Sequence, residues 1–476
     1  MDDRKRDGQP RNAGGPAAKP LTITAVQLEA IGRETGEPGW MVDSRRSALE
    51  TYRRMEPPAA ADEAWRREGL PDHAFSDLTL EALAVSGKPK RAPAAWMKPA
   101  AGAKTGGWLA LEDGAQRELR VDDELLRSGV VFQPILEAAR EHPDLVQPLL
   151  GSTVTPADGV FPALAAMLFD TGVFLHVPKG VRIRKPLHSL LWSSGTGLRA
   201  WRLLVHVEEG AEVDLLHECA SPDRKGEAAR LDIVELIVHP EATLRFFLHQ
   251  HWGGNVVRVG RERAVIGRQG RLVWGAASIG AAHSKILSDL DLRERGATAQ
   301  WTLLQALDGT QRAEVSTLQN HIAPDTGSDF LCKGVVSGAA RSYYGGMVRV
   351  APQAAGADGY QGSRILVLSD RAGAEAVPGL EILSDDVRCS HGVTMGELDP
   401  EELFYLRSRG IPGEEARRLL VEGFLEEALG RIPQEAIRRR VHLAVGAKIE
   451  TMEEGSKPEP NRVPRASRDS EQGALA

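Results

Sequence analysis

Apolar positions along this chain change their spacing twice, and the two changes divide it into three parts. Within residues 40–55, Met41, Ala48, Leu49, Tyr52 and Met55 fall near one helical face and Arg45, Arg46, Arg53 and Arg54 elsewhere, the pattern of an amphipathic helix. Residues 86–107 are dominated by Lys, Pro, Ala and Gly, with Trp96 their one aromatic side chain, which is the composition of a linker. Helical spacing returns over residues 122–150 and 161–169. From about Thr171 the apolar residues come instead in short runs, each bounded by Gly, Pro or Asn. Residues 202–207, 213–216, 233–238, 244–248 and 365–368 are clear examples, and each reads as a strand.

Several of these strands follow a similar turn, at Gly210-Ala211, Glu241-Ala242, Gly296-Ala297 and Gly373-Ala374. The intervals of roughly 30, 55 and 75 residues lie near multiples of one coil and suggest a repeat. A single stack of β coils, a parallel β-helix, accounts for this better than the alternative of paired β-sandwiches. After Asp386 the pattern becomes helical. Asp399-Pro400-Glu401-Glu402 combines an N-cap residue, a proline at the first helical position and acidic residues in the first turn, so a helix is expected to run to Arg409 and stop at Gly410. Ile411-Pro412-Gly413 then restarts a helix with an apolar stripe at Ala416, Leu419, Leu420, Gly423, Phe424 and Leu429.

The expected organisation is a mainly β protein: a disordered tail at 1–20, a helical region at 21–168 containing the linker, a right-handed parallel β-helix at 169–385, a helical domain at 386–451 and a second disordered tail at 452–476. The capped start at Asp399 marks the C-terminal hairpin as separable from the strands, so a chain ending there is expected to keep its β-helix. Both tails are polar and aperiodic, and cannot bury enough apolar surface to offset the entropy of ordering.

Composition narrows the function. An apolar share of 42% suits a protein with a substantial core, and neither a long apolar span nor an apolar leader is present, so a soluble cytoplasmic protein is expected, away from membranes. A net charge of -7 with intermixed signs offers no nucleic-acid footprint. Cys219, Cys332 and Cys389 are too scattered for a disulfide framework or a closed zinc site. Gly102-Ala103-Lys104-Thr105 fails as a phosphate-binding loop, because Ala103 stands where that loop requires Gly and no strand precedes it.

Residues 380–424, LEILSDDVRCSHGVTMGELDPEELFYLRSRGIPGEEARRLLVEGF, resemble the C-terminal signature of the SufB/SufD family of iron-sulfur cluster assembly scaffolds. FLHVPKGVRIRKP at 174–186, the HIAPDTGSDF and GGMVRV pieces within 320–350, and YQGSRILVLS at 360–369 resemble other blocks of that family in the same order. Ile365 and Val393 depart from the family's usual Asn and Ala. Residues 404–423 lack the cysteine that SufB-type members use, and no N-terminal C-x-x-C-x-x-x-C is present, which favours the SufD branch. The resemblance implies a β-helix flanked by helical regions and a non-enzymatic scaffold paired with a SufB-like subunit. It also implies a separate SufC-like ABC-type ATPase docked on the C-terminal helices, for which Phe404, Tyr405, Arg407, Arg409 and Ile411 are the candidate surface. The other reading of Phe404 and Tyr405 is as core residues of the hairpin.

Cys389-Ser390-His391 places a thiol and an imidazole two residues apart, a pair suited to iron or an iron-sulfur cluster. A cluster takes about four ligands, so this chain would hold one only transiently and share it with its partner, as the resemblance implies. None is expected on the isolated chain. The bland reading makes Cys389 a small packed group and His391 part of a turn. Two other functions remain in view: a SufB-like homodimeric scaffold and a β-helical polysaccharide hydrolase using Asp385 and Asp386. Adjacent carboxylates on one strand point to opposite faces, which argues for a strand end and turn instead. His249, His251, His321, Cys219 and Cys332 lie in or beside strands and read as interior residues.

Overall fold

The computed structural model describes residues 23–56, 90–99 and 104–454. The expected tail at 1–20 and most of that at 452–476 lie outside these residues. From Phe169 onward successive strands go alternately into two sheets. One sheet contains β1 (Gly107–Glu112), β2 (Ala115–Val121), β5 (Leu187–Trp192), β7 (Glu212–Ala220), β9 (Thr243–His251), β11 (Arg271–Ser278), β13 (Thr298–Leu307), β15 (Gly327–Val336), β17 (Ala357–Val367) and β19 (Val387–Gly396). The other contains β3 (Val131–Pro134), β4 (Phe169–Val177), β6 (Gly197–Val207), β8 (Ala228–Val238), β10 (Val256–Ile266), β12 (His283–Leu292), β14 (Arg312–His321), β16 (Arg341–Val350) and β18 (Gly373–Ile382). From β4 onward every neighbour pair is parallel, and the two sheets form a β-solenoid of about eight turns.

One corner of the solenoid shows how the coils stay in register. Gly180, Gly210, Glu241, Gln269, Gly296, Asp325 and Gly356 all have left-handed backbone and stand 27–31 residues apart. Each donates its backbone N–H to a carbonyl of the following coil, as in Gly210 to Pro240 at 3.0 Å and Asp325 to Ala355 at 2.9 Å. The repeat is therefore one coil of about thirty residues, and the expected 55-residue interval is two coils. Gly373-Ala374 belongs to the opposite corner, between β17 and β18, which is why its interval does not fit.

Inside the solenoid, side chains at equivalent positions stack across coils. The column Leu215, Phe246, Trp274, Trp301, Phe330, Gln361, His391 follows directly from the strand registers. Trp274 and Trp301 stack at 4.5 Å between centroids with planes 8° apart, and Phe330 meets Trp301 edge-on at 5.0 Å. Trp301→Ala is expected to destabilise the protein by about 3–5 kcal/mol, because neighbours held in adjacent coils cannot collapse into the void. A urea-unfolding midpoint indistinguishable from the parent's would contradict this.

The outer faces are covered by helices. Leu204, Leu231 and Ile233 of the sheet that ends in β18 pack under Ile135, Leu164 and Met167 of the N-terminal helices. Arg45, on the polar side of the expected helix, which spans Gly39–Arg53, is in fact buried. It donates to the carbonyls of Met167 and Phe169 at 2.6 and 2.8 Å and pairs with Glu37 at 2.6 Å. A buried cation here satisfies the carbonyls left open at the end of the helix Val160–Leu168.

Three further features differ from the sequence reading. The region 21–168 includes strands: β1 is wholly buried and pairs parallel with β5, and β3 interrupts the expected helix over 122–150. Trp96 is not a free linker residue, since it stacks on His249 at 5.9 Å beneath the Arg440 guanidinium. The strands continue to Gly396, so the C-terminal helices start at Pro400 rather than near Asp386. These helices are Pro400–Ser408, Gly413–Gly430 and Glu435–Glu454. Val421, Leu425, Leu429, Val441, Val445 and Ile449 lie on Leu216, Phe247, Leu304, Leu331 and Val335 of the other sheet, so this region is not separable from the solenoid.

Candidate functional site

Among the described residues, one end of the solenoid is without a cover. β19 and β18 are the last strands of their sheets, and among the described residues no further coil lies on them. Their inward-facing rows continue the interior columns: Cys389, His391, Val393 and Met395 on β19, Ala376, Leu380 and Ile382 on β18. In earlier coils these positions are buried. Here Val393, Met395, Leu380 and Ile382 are 37–39% exposed. A solenoid end that stands in water carries a polar cap, whereas this one presents apolar side chains over two free strand edges.

Cys389 and His391 lie in that row, two residues apart on the same side of β19, which the extended geometry requires. Cys389 is half-buried and opposite Gly359; a Cβ on Gly359 would lie 3.3 Å from both Cys389 Sγ and His321 Nε2. The absence of a side chain at Gly359 is what leaves room for these two groups. Burial raises the Cys389 thiol above its ordinary value, against a backbone hydrogen bond from Gly359 that lowers it. It therefore rests as a thiol at neutral pH, and a metal ion would have to displace its proton. His391 is exposed and sits opposite Gln361, whose side chain accepts from Tyr344 Oη at 3.1 Å and donates to the Gly379 carbonyl at 2.9 Å. Gln361 went unnoticed in the sequence, and its signal was only its membership of the block around Tyr360.

The other thiols and histidines singled out are interior. Burial pushes Cys332 up to about 12 and Cys219 well above the ordinary range, so neither offers a thiolate. His321 is held between Thr326 Oγ1 and Ser328 Oγ, both at 2.8 Å. His249 bonds Glu218 at 2.8 Å, and Glu218 also takes His188 and Arg440 at 2.8 Å, beneath the last helix. His251 packs against Trp96. Asp385 and Asp386 are exposed in the turn from β18 to β19.

The second candidate surface is the helix Pro400–Ser408. Asp399 caps it, accepting from the Glu401 amide at 2.8 Å, and the helix buries none of its residues. Phe404 is 72% and Tyr405 55% exposed, so neither is a core residue of the hairpin. Arg407 and Arg409 are exposed and Ile411 is half-buried. Arg409 lies over the Tyr405 ring at 5.1 Å, which leaves one aromatic and cationic face open to solvent.

Residues 192–424 match the SUF system FeS cluster assembly, SufBD core domain, and residues 33–188 match the SufBD protein N-terminal region. The chain belongs to the SufBD family. It is similar to iron-sulfur cluster assembly SufBD family proteins of Staphylococcus haemolyticus and Staphylococcus epidermidis, each 26% identical over 430 residues that cover 87% of this chain and 90% of theirs. A protein of the same description from Staphylococcus aureus is 25% identical over the same length. The two SufBD regions meet in β5, the strand that pairs with β1 on one side and β7 on the other, so N-terminal region and core share one continuous sheet. The SufBD family is a scaffold family, and no described helix of this member is long and apolar enough to cross a membrane.

Proposed function

We propose that this chain is a SufD-type scaffold subunit that meets a SufB-like subunit through the open end of its solenoid and helps assemble iron-sulfur clusters there, in the cytoplasm. Cys389 and His391 contribute ligands to iron or a nascent cluster completed by the partner, and the cluster moves on instead of staying. The observation that carries this reading is that both side chains lie in the exposed inward row of the last coil, where a partner closing the solenoid would bury them. Two ligands fall short of the about four a cluster takes, which fits a shared and transient site. A SufC-like ABC-type ATPase docks on Phe404, Tyr405, Arg407, Arg409 and Ile411, supplying the ATP hydrolysis for which this chain has no phosphate-binding loop. The SufD assignment rests on the missing cysteine in 404–423.

The test is His391→Ala, examined by complementation of a Suf-dependent strain and by the composition of the purified complex. Since His391 is exposed and makes no interior contact that the fold needs, the variant is expected to form the complex with unchanged subunit ratio. The iron it retains should fall at least about tenfold, the scale on which metal sites respond to loss of a supporting group. Normal cluster assembly by a fully formed complex would remove the metal role. Cys389→Ser tells the two ligands apart, because a thiol that is only packed leaves assembly intact.

A further inference from the structure

At the other end of the molecule, three histidines from successive coils meet at one corner. His176 of β4 and His206 of β6 are direct register partners in parallel strands, so the strand spacing alone places their rings side by side, 5.1 Å apart and 25° from parallel. Their Nδ1 atoms face each other at 3.0 Å. His206 Nε2 faces His239 Nε2 at 2.8 Å, His239 being the first residue of the next turn at this corner. Glu208, two residues after His206, is held toward the cluster by the Lys179 amide, which donates to its Oε2 at 2.8 Å. One donor atom each from His176, His206 and Glu208 lie within 4.8 Å of one another. None of these residues takes part in the proposed cluster site on β19.

We propose that this corner binds one divalent transition-metal ion of the class that favours nitrogen with one carboxylate, such as Fe(II), Co(II), Ni(II) or Zn(II). His176, His206 and Glu208 are the ligands and His239 orients the His206 ring. A nitrogen-to-nitrogen separation of 3.0 Å is close to that of adjacent ligands around an ion with bonds of about 2.0–2.1 Å. Imidazole with carboxylate selects this class over Ca(II) and Mg(II), which prefer oxygen. A ligating histidine keeps its ring in place through a partner on its other nitrogen, and His239 occupies that position for His206. His176 and His206 are buried while Glu208 and His239 are half-exposed, so an ion enters from the solvent side of the turn without disturbing the strands.

The experiment uses the full chain without an affinity tag, carrying His391→Ala and Cys389→Ser so that the open end does not contribute. Co(II) is the probe, followed by its visible absorption and by equilibrium dialysis. One Co(II) per chain with a d–d band is expected, displaced by Zn(II). Glu208→Gln, at a half-exposed position that cannot unfold the solenoid, should weaken Co(II) at least about tenfold, and His239→Gln by about 10–100-fold through loss of ring orientation. His206→Gln should abolish the band, with circular dichroism confirming an intact fold. Absence of a band in the parent chain, or isotherms unchanged by Glu208→Gln and His239→Gln, would overturn the site and leave a hydrogen-bonded histidine chain.

Discussion

Lowering the pH from 7 to 4 is expected to unfold this protein in a steep transition that begins near pH 6.5. Burial holds His206 and His217 down to about 3 and His251 and His321 down to about 4. The groups facing them do not reverse this. His206 looks onto His176 and His239, and His217 onto His188, Glu218 and Arg258. His251 looks onto His249, Lys448, Asp223 and Glu218, and His321 onto Thr326 and Asp358. In the unfolded chain each returns to about 6.5. The folded values are the lower ones, so between the two the unfolded chain takes up protons that the folded one refuses. Stability is therefore undiminished above about pH 6.5 and is lost as the pH falls toward the folded values. Each group costs up to about 1.4 kcal/mol per pH unit, so the four together cost up to about 5 for each unit below pH 6.5, against a total stability of about 5–15 kcal/mol for a typical domain. Glu218 acts in the same direction at lower pH: burial alone would raise its carboxyl, but hydrogen bonds from His188 and His249 hold it well below the usual range, and that support is lost in strong acid. Urea midpoints measured from pH 7 to 4.5 test this, and a flat profile over that range would contradict it. His321→Gln should reduce the slope by about one proton.

A chain ending at Asp399 is expected to be insoluble or to lose its cooperative melt. Removing the last helices uncovers Leu216, Phe247, Leu304, Leu331 and Val335, all now buried. At about 1.5–3 kcal/mol for each large apolar side chain, the loss approaches the whole stability of a domain. It also strands Glu218 without Arg440 and Lys333 without the Phe424 carbonyl, which it now reaches at 2.7 Å. Leu331→Asp probes the same contact in the intact chain and should lower the melting temperature sharply. A truncated chain that elutes as a monomer and melts like the parent would show that the helices are dispensable to the fold.

What the sequence disclosed and what it withheld follow from where each segment is buried. Strands such as β8 and β9, covered on both faces, are written as dense apolar runs and were readable at once. β19 escapes the apolar-run criterion because it lies at an edge: VRCSHGVTMG alternates, with Val387, Cys389, Val393 and Met395 on one side, but polar and glycine residues between them break it into single apolar positions. β1 follows directly on the linker-like stretch at 86–107, its GWLALE too short to stand out from the glycines before it. Cys389 and His391 are candidates from local chemistry and a family block, and the two-residue spacing in an extended strand gives their common side. The histidine corner has no local signature, since its members are separated by whole coils. Once the repeat is known, His176-Val177 and His206-Val207 occupy the same place in two successive coils, with Glu208 and His239 just beyond it in the turns that follow, and that is the signal that could have found it. The Arg45 anchor was misplaced because helical spacing cannot tell a solvated arginine from one capping a neighbouring helix.

The two ends of the solenoid differ in a way that limits what it can build. At the far end both sheets close with an antiparallel strand, β2 on β1 and β3 on β4, and the edge strand β2 carries charged residues at Arg117, Glu118 and Arg120. That end rejects a further strand, whereas the β18–β19 end accepts one. Two solenoids joined at their accepting ends leave only rejecting ends facing outward, so growth stops at a pair. A stack of coils is the architecture most prone to extend into a fibre, and the reversed strands β2 and β3 leave the β18–β19 end as the open one among the described residues.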